Sequence, residues 1–157
     1  MVTITLRDVI DADLEVLFQN QRDPEANHMA AFTARDPSDR EAFDAHWARI
    51  RASETVLIKT ILAEGVVVGS VLSYEMEGET EISYWIGRAY WGKGIMSEAL
   101  SQFLTYQTIR PLSGRAAADN IGSLRVMEKC GFMIIGEEMG FAIARGKEIK
   151  EIILRLE

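Results

Sequence analysis

The chain has 157 residues, of which 48% are hydrophobic and 26% charged, and this size and balance predict one globular domain over residues 1–157. Its 17 basic residues against 24 acidic ones give a net charge of −7, which argues against a nucleic-acid-binding protein because such proteins need a basic face. The one cysteine, Cys130, excludes an internal disulfide and a multi-cysteine metal site, and no apolar run approaches the ~18 residues that a membrane span needs.

The N-terminal third predicts one strand followed by two helices. Residues 2–7 alternate between apolar and polar side chains, which is the period of a strand. Residues 11–21 repeat apolar side chains at helical spacing, and residues 38–52 do the same. The segment 22–37 between them contains two prolines and is predicted to be a loop.

The hydrophobic period then changes to that of a sheet. Two runs rich in β-branched residues, 55–63 and 66–74, are separated by Glu64-Gly65, which is a hairpin signal. A second acidic turn leads into a third run at 80–86. These three runs are predicted to form an antiparallel meander.

The second half of the chain alternates helices and strands. Residues 92–109 and 120–129 have amphipathic helical patterns, with a short strand at 112–118 between them. Residues 132–143 and 148–156 predict a final β-hairpin. The order predicts a mixed α/β domain with one β-α-β crossover after residue 80.

The turn between the meander and the next helix is the most informative segment. Gly92 and Gly94 have no side chains, so an anion can approach the backbone where that helix starts. The first N–H groups of a helix lack partners and lie at the positive end of the helix dipole, and both features favour an anion. Lys93 and Ser97 add a charge and a hydroxyl. The turn predicts a phosphate or pyrophosphate site, although glycines here are also consistent with a tight turn alone. It lacks the Walker pattern, and it fits a dinucleotide fingerprint only in part because Ser97 holds the place of the third glycine.

A second motif runs from Asp119 to Phe132. Asn120 follows a predicted strand and starts a predicted helix, where its amide can cap the helix or bond an amide-bearing ligand. If the dinucleotide alternative held, Asp119 would be placed to meet a ribose.

Together and in this order, the meander and the two motifs resemble the GNAT N-acetyltransferase superfamily, and most nearly its ribosomal-protein-alanine N-acetyltransferase branch. The resemblance is strongest from about residue 55 to residue 135. It implies an α/β (α+β) fold with a mixed, mostly antiparallel sheet of about seven strands, splayed between the two central strands and flanked by about four helices. It also implies acetyl-CoA as the acetyl donor and no metal.

The resemblance assigns the CoA pyrophosphate to the glycine turn and the pantetheine arm to the splay, where the arm would extend the sheet like an added strand. Asn120 matches the family's asparagine beside this arm, and Arg125 and Lys129 are the expected partners of the adenosine phosphates. The residues expected to contact the cofactor are Trp85, Ile86, Trp91, Gly92, Lys93, Gly94, Ile95, Met96, Ser97, Asn120, Arg125 and Lys129.

The chain departs from the family pattern at two positions. Ala89 stands where the loop usually begins with Gln or Arg, and Met127 stands where many members have a tyrosine that protonates the leaving thiolate. Because methionine cannot donate a proton, Ser123 is the expected substitute acid. Its alternative role is that of a helix-cap hydroxyl.

The expected general base is Glu81, which matches a glutamate at the start of the central strand in this branch. The alternative is that Glu81 is one more solvated acid on a turn that also carries Glu75, Glu77 and Glu79. Tyr84 points to the opposite face of the same strand and is predicted to belong to the core.

The sequence thus predicts an acetyl-CoA-dependent N-acetyltransferase in which a primary amine, from a small molecule or a protein N-terminus, attacks the thioester directly. A non-catalytic acyl-CoA-binding or sensor domain on the same fold is the alternative. Residues 85–130 carry six basic and three acidic side chains, which suits a polyphosphate, whereas the acidic remainder favours a cationic acceptor. We expect a cytoplasmic monomer or homodimer with no nucleic-acid or membrane partner.

Overall fold

The computed structural model describes residues 2–157. Within that range seven strands form one sheet, with five α-helices on its two faces. The strands are β1 (Ile4–Arg7), β2 (Leu57–Ala63), β3 (Val66–Met76), β4 (Glu79–Ile86), β5 (Leu112–Ala117), β6 (Met133–Ala142) and β7 (Lys147–Leu156). The helices are α1 (Asp13–Gln21), α2 (Pro24–Ala30), α3 (Arg40–Ala52), α4 (Ile95–Tyr106) and α5 (Ile121–Lys129). The predicted mixed α/β fold class is confirmed.

The sheet opens between its two central strands. Its strand order is β1-β2-β3-β4-β5-β7-β6, and every neighbouring pair is antiparallel except β4 and β5. These two strands pair only where Thr80 faces Leu112 and Glu81 faces Ser113. From Ile82 onward, the edge of β4 that faces β5 has no partner strand within residues 2–157. The predicted splay is therefore confirmed.

The alternation of side chains along β4 sends its residues to two different faces. Trp85 donates from its indole Nε1 to the backbone carbonyl of Asn20 in α1, at 3.3 Å, and Glu81 shares the face of Trp85. Tyr84 points the other way, where its hydroxyl meets Ser123 in α5. The splay thus has one wall on the side of α1 and another on the side of α4 and α5.

Two apolar clusters fix the helices against the sheet. The larger lies under α4 and α5 and contains Leu100 and Phe103, both completely buried; burial of such a side chain contributes about 1.5–3 kcal/mol. The smaller holds α1 and α3 on the opposite face, where the rings of Phe18 and Phe43 pack edge to face with centroids 5.2 Å apart. The splay therefore lies between two rigid layers.

Helix α2 lies inside the segment that was predicted to be a loop, so that prediction is wrong for residues 24–30. Proline breaks a helix interior, but Pro24 occupies the first helical position, where its missing N–H costs nothing and its φ suits the helix. Asp23 caps the helix by accepting a hydrogen bond from the Glu25 N–H at 3.1 Å. The helix ends at Ala31, which has a positive φ of 67°.

Candidate active site

A cavity of about 910 Å³ occupies the open side of the splay, a volume typical of ligand sites. Its walls come from the second half of β4, the turn before α4, the first turns of α5, and one face of α2. Trp85 and Ile86 contribute the strand wall, and Ala26, Met29 and Ala30 contribute the α2 wall. A long ligand can therefore enter at the glycine turn and reach the separated edge of β4.

The glycine turn has the geometry of an anion site. Gly92 and Gly94 have φ angles of 72° and 76°, the left-handed region that favours glycine, and a Cβ built on either would meet nothing within 4 Å. Gly94 is the N-cap of α4, and no side chain among residues 2–157 bonds to the first turn of that helix. The start of α4 lines the cavity, and its backbone N–H groups are thus available as donors to a phosphate oxygen.

Asn120 and Ser123 meet at the start of α5. The side-chain oxygen of Asn120 accepts a hydrogen bond from the Ser123 N–H at 3.3 Å, so Asn120 does serve as the helix cap. Both residues also line the cavity. The cap and ligand-binding interpretations of Asn120 are therefore compatible, since capping uses only its carbonyl oxygen.

Tyr84 forms a close hydroxyl pair with Ser123 across the cavity wall. The phenol oxygen lies 2.6 Å from Ser123 Oγ and 3.1 Å from the Ser123 carbonyl oxygen. Burial raises the pKa of Tyr84 to about 12, partly offset by its bond to Ser123. Although Tyr84 packs against the core as predicted, it also lines the cavity, which the sequence interpretation missed.

Glu81 is buried in a charged cluster rather than solvated on a turn. Its side chain is only 5% exposed, whereas Glu75, Glu77 and Glu79 are exposed, so the solvated-turn alternative is wrong. One carboxylate oxygen accepts a hydrogen bond from Arg115 Nε at 3.1 Å, and the other accepts from the Tyr74 hydroxyl at 3.1 Å.

Arg115 gathers two further carboxylates around the Glu81 cluster. Its Nη1 lies 3.2 Å from Glu138 and 3.3 Å from Glu151. Although burial acts in the opposite sense, hydrogen bonds with these three glutamates raise the pKa of Arg115. Burial raises the pKa of Tyr74 to about 12, and the charge of Glu81 adds to this effect. The cluster thus holds three carboxylates for one guanidinium.

Most of the residues predicted to contact the cofactor come together at this cavity. Those that line it are Trp85, Ile86, Trp91, Gly92, Gly94, Ile95, Met96, Ser97, Asn120, Arg125 and Lys129. Lys93 is exposed in the turn and does not line it, while Ser123 does. Glu81 lies beside the closed end of the splay, outside the lining. Their contacts with a cofactor stay predictions.

The α2 wall was not found from the sequence, because Ala26, Met29 and Ala30 lay in a predicted loop. The helical spacing of these three small or flexible apolar residues was the available signal. Asp119 lines the cavity, and both its oxygens accept hydrogen bonds from Arg145, at 2.8 and 2.9 Å. Hydrogen bonds from Arg145 lower the pKa of Asp119.

Residues 2–157 contain neither a metal-ligand cluster nor a membrane-spanning helix. No cluster of three or more His, Cys, Asp or Glu side chains there is arranged to hold a metal ion. No helix in the same range combines the length and apolarity needed to cross a bilayer.

Comparison with known proteins agrees with this geometry. A family model described as an acetyltransferase (GNAT) domain matches residues 3–133. YdaF of Bacillus subtilis (strain 168), whose name assigns it provisionally to the ribosomal N-acetyltransferases, is 28% identical over 149 residues, which are 87% of this chain and 80% of YdaF.

Two solved structures share the fold at low sequence identity. The spermidine N-acetyltransferase from Vibrio cholerae in complex with CoA and spermine is 15% identical with a TM-score of 0.83, covering 98% of this chain and 94% of that one. RimL, the ribosomal L7/L12 alpha-N-protein acetyltransferase in complex with CoA, is 18% identical with a TM-score of 0.82, covering 98% of this chain and 93% of that one.

Proposed function

This chain belongs to the GNAT acetyltransferase family, and from that premise we propose that it transfers the acetyl group of acetyl-CoA to a primary amine by direct attack on the thioester. The observation that carries the proposal is the cavity that joins the glycine turn to the separated edge of β4 and is also lined by Ser123. A phosphate site, an open strand edge and a hydroxyl donor thus lie along one path.

Each part of this path has a chemical role in holding the donor. The N–H groups at the start of α4 bind pyrophosphate oxygens, and the glycines keep Cβ atoms out of the way. Arg125 and Lys129 are exposed cations at the cavity rim, suited to the remaining phosphates. The backbone of Trp85 and Ile86 offers the amide groups of the pantetheine arm the hydrogen bonds of a missing strand.

We propose that Glu81 and Ser123 divide the proton handling. Glu81 accepts the amine proton through a water molecule, because its carboxylate lies beside the splay rather than in the cavity lining. Ser123 donates toward the sulfur that leaves, in place of the tyrosine absent at Met127. Met127 is only 1% exposed and packs in the core, so this position takes no part.

We propose that the acceptor is an amine that is cationic in solution. It is in its neutral, deprotonated form at the moment of attack. The three carboxylates around Arg115 give this end of the site an excess of negative charge, which attracts an ammonium group. YdaF and RimL are named for ribosomal proteins, and the Vibrio cholerae enzyme for spermidine. A protein N-terminus and a polyamine are therefore the first acceptors to test.

The experiment has two steps, each with a comparison built in. Acetyl-CoA at about 100 times its Kd should stabilise the protein by about 2.7 kcal/mol, or roughly 5–10 °C in Tm for a domain of this size, whereas NAD should have no effect. Release of free CoA thiol is then scored over a panel of polyamines and N-terminal peptides. Stabilisation by NAD but not by acetyl-CoA would overturn the proposal.

A further inference from the structure

The hydroxyl pair of Tyr84 and Ser123 has a geometry that the acid role of Ser123 alone does not require. The phenol oxygen can bond both to Ser123 Oγ, at 2.6 Å, and to the Ser123 carbonyl oxygen, at 3.1 Å. We propose that Tyr84 is a positioning residue that sets the direction in which Ser123 donates, so that the serine proton points at the leaving sulfur of CoA. This inference rests on the function proposed above.

Two arrangements of the two hydroxyl protons are possible. In the first, Tyr84 donates to the Ser123 carbonyl and Ser123 donates to Tyr84, so the serine proton is held by the phenol oxygen. In the second, Tyr84 donates to Ser123 Oγ, and the serine proton is free to point into the cavity. A thiolate in the cavity selects the second arrangement, because only that arrangement offers it a donor.

Ser123 is also held from its backbone side. Its N–H donates to the cap oxygen of Asn120 at 3.3 Å, while its hydroxyl is held by Tyr84 in the larger core cluster. A donor fixed at both ends needs little reorganisation when charge develops on the sulfur, which is the condition for electrostatic stabilisation of a transition state. The pKa of Tyr84, raised to about 12 by burial, keeps the phenol protonated through the neutral range.

The balance of protons indicates that Ser123 donates a hydrogen bond to the leaving sulfur and that no proton is transferred along the Tyr84–Ser123 pair. The C–N bond forms as the C–S bond breaks, and the electron pair of the C–S bond goes to sulfur. Passing the serine proton to sulfur and the phenol proton to Ser123 Oγ would leave Tyr84 as a phenolate. With a pKa of about 12 for Tyr84 and about 8.5 for an ordinary thiol, that state is disfavoured by at least about a thousandfold. The thiolate is therefore stabilised in place. The proton lost by the attacking nitrogen goes to Glu81 through water, and the thiolate takes up a proton from solvent when CoA leaves.

The test compares the binding of CoA with that of desulfo-CoA, in which hydrogen replaces the thiol, from pH 6 to pH 9.5. In the wild-type protein, the affinity for CoA relative to desulfo-CoA should rise about tenfold or more as the CoA thiol ionises with increasing pH. The reason is that a hydrogen bond to a charged group is strong. Tyr84→Phe and Ser123→Ala should each abolish this gain while binding desulfo-CoA as the wild type does. A purely structural role of Tyr84 would not change the ratio.

Turnover gives a second readout of the same pair. Tyr84→Phe should lower kcat about 10- to 100-fold with KM for acetyl-CoA within about twofold, and the double variant should be no slower than Ser123→Ala because Tyr84 acts only through the Ser123 hydroxyl. The matched control is Tyr106→Phe, at a phenol that is 51% exposed at the end of α4. This control should retain both the binding ratio and kcat.

Three outcomes overturn the inference: a wild-type binding ratio that does not change with pH, a Tyr84→Phe variant that keeps the ratio, or losses that add in the double variant. If Tyr84→Phe does not fold, the test moves to Tyr84→Met, which also lacks the hydroxyl, and retention of the ratio by that variant would overturn the inference. Failure of the wild type to bind either CoA or desulfo-CoA would instead contradict the proposed function. Acetyl transfer with an unchanged ratio would contradict this inference alone.

Discussion

The two ends of the site handle protons with different chemistry. At one end Glu81 is a buried carboxylate, held by Arg115 and Tyr74 at 3.1 Å each. At the other end Ser123 and Tyr84 are neutral hydroxyls 2.6 Å apart. The two ends project from opposite faces of β4, because Glu81 and Tyr84 are three residues apart on an alternating strand.

This difference separates the pH-sensitive part of the reaction from the pH-insensitive part. At the charged end, burial raises the pKa of Glu151, and Arg115 links Glu151 to Glu81. The hydroxyl pair keeps its protons near neutrality, since the pKa of Tyr84 is about 12. A substitution at the charged end should therefore change the shape of the pH–rate profile. A substitution at the neutral end should lower the rate by the same factor at every pH.

The largest effect is expected from Glu81→Gln. Losing the general base should lower kcat about 10²- to 10⁴-fold, while acetyl-CoA binding stays within about twofold because Glu81 does not line the cavity. The matched control is Glu77→Gln, an exposed acid in the turn before β4. Turnover by Glu81→Gln within a few-fold of the wild-type rate would remove Glu81 from the mechanism.

A smaller effect is expected from Ser123→Ala. Removing one preorganised donor to the leaving sulfur should lower kcat about 10- to 100-fold. The shape of the pH–rate profile should not change, because the charged cluster around Arg115 is intact. Ser101→Ala, at an exposed serine in α4, is the control and should behave like the wild type. A changed shape of the pH–rate profile in Ser123→Ala would mean that the two ends are coupled.

The predictable parts of the structure are those specified by the hydrophobic period and turn residues of a short segment. The β-branched runs around Glu64-Gly65 specify a hairpin by period and turn type, and Gly92 and Gly94 mark the turn into α4 because their φ angles favour glycine. Helix α2 was missed although Asp23-Pro24 is a start signal, since proline was interpreted as a helix breaker rather than as a first-turn residue.

The unpredicted parts of the site depend on contacts between distant segments. Tyr84 meets Ser123 across 39 positions, and Glu81 meets Arg115 across 34. Alternation along β4 predicts the face of each side chain, but the partner depends on how α5 and β5 pack against that strand. The charged cluster around Glu81 therefore appears only once β5 and β7 are placed side by side.

The smallest effect concerns the stability of the charged end, tested with Glu151→Gln. Burial raises the pKa of Glu151 above its ordinary value of 4.5, against the opposing bond from Arg115. The folded protein thus holds this proton more tightly than the unfolded chain, so the contribution of Glu151 is complete below pH 4.5 and is lost as the pH rises through the raised value.

At neutral pH the ionised, half-buried Glu151 therefore costs stability. Glutamine keeps an oxygen acceptor for Arg115 and removes the charge, so the variant should be more stable by at most about 1 kcal/mol in urea unfolding at pH 7. The gain should vanish near pH 4, and Glu148→Gln, at an exposed position on β7, should have no gain at either pH. A less stable Glu151→Gln at pH 7 would mean that the bond to Arg115 outweighs burial. The bond to Arg115 would then stabilise the fold at neutral pH, and this structural role would account for the carboxylate of Glu151.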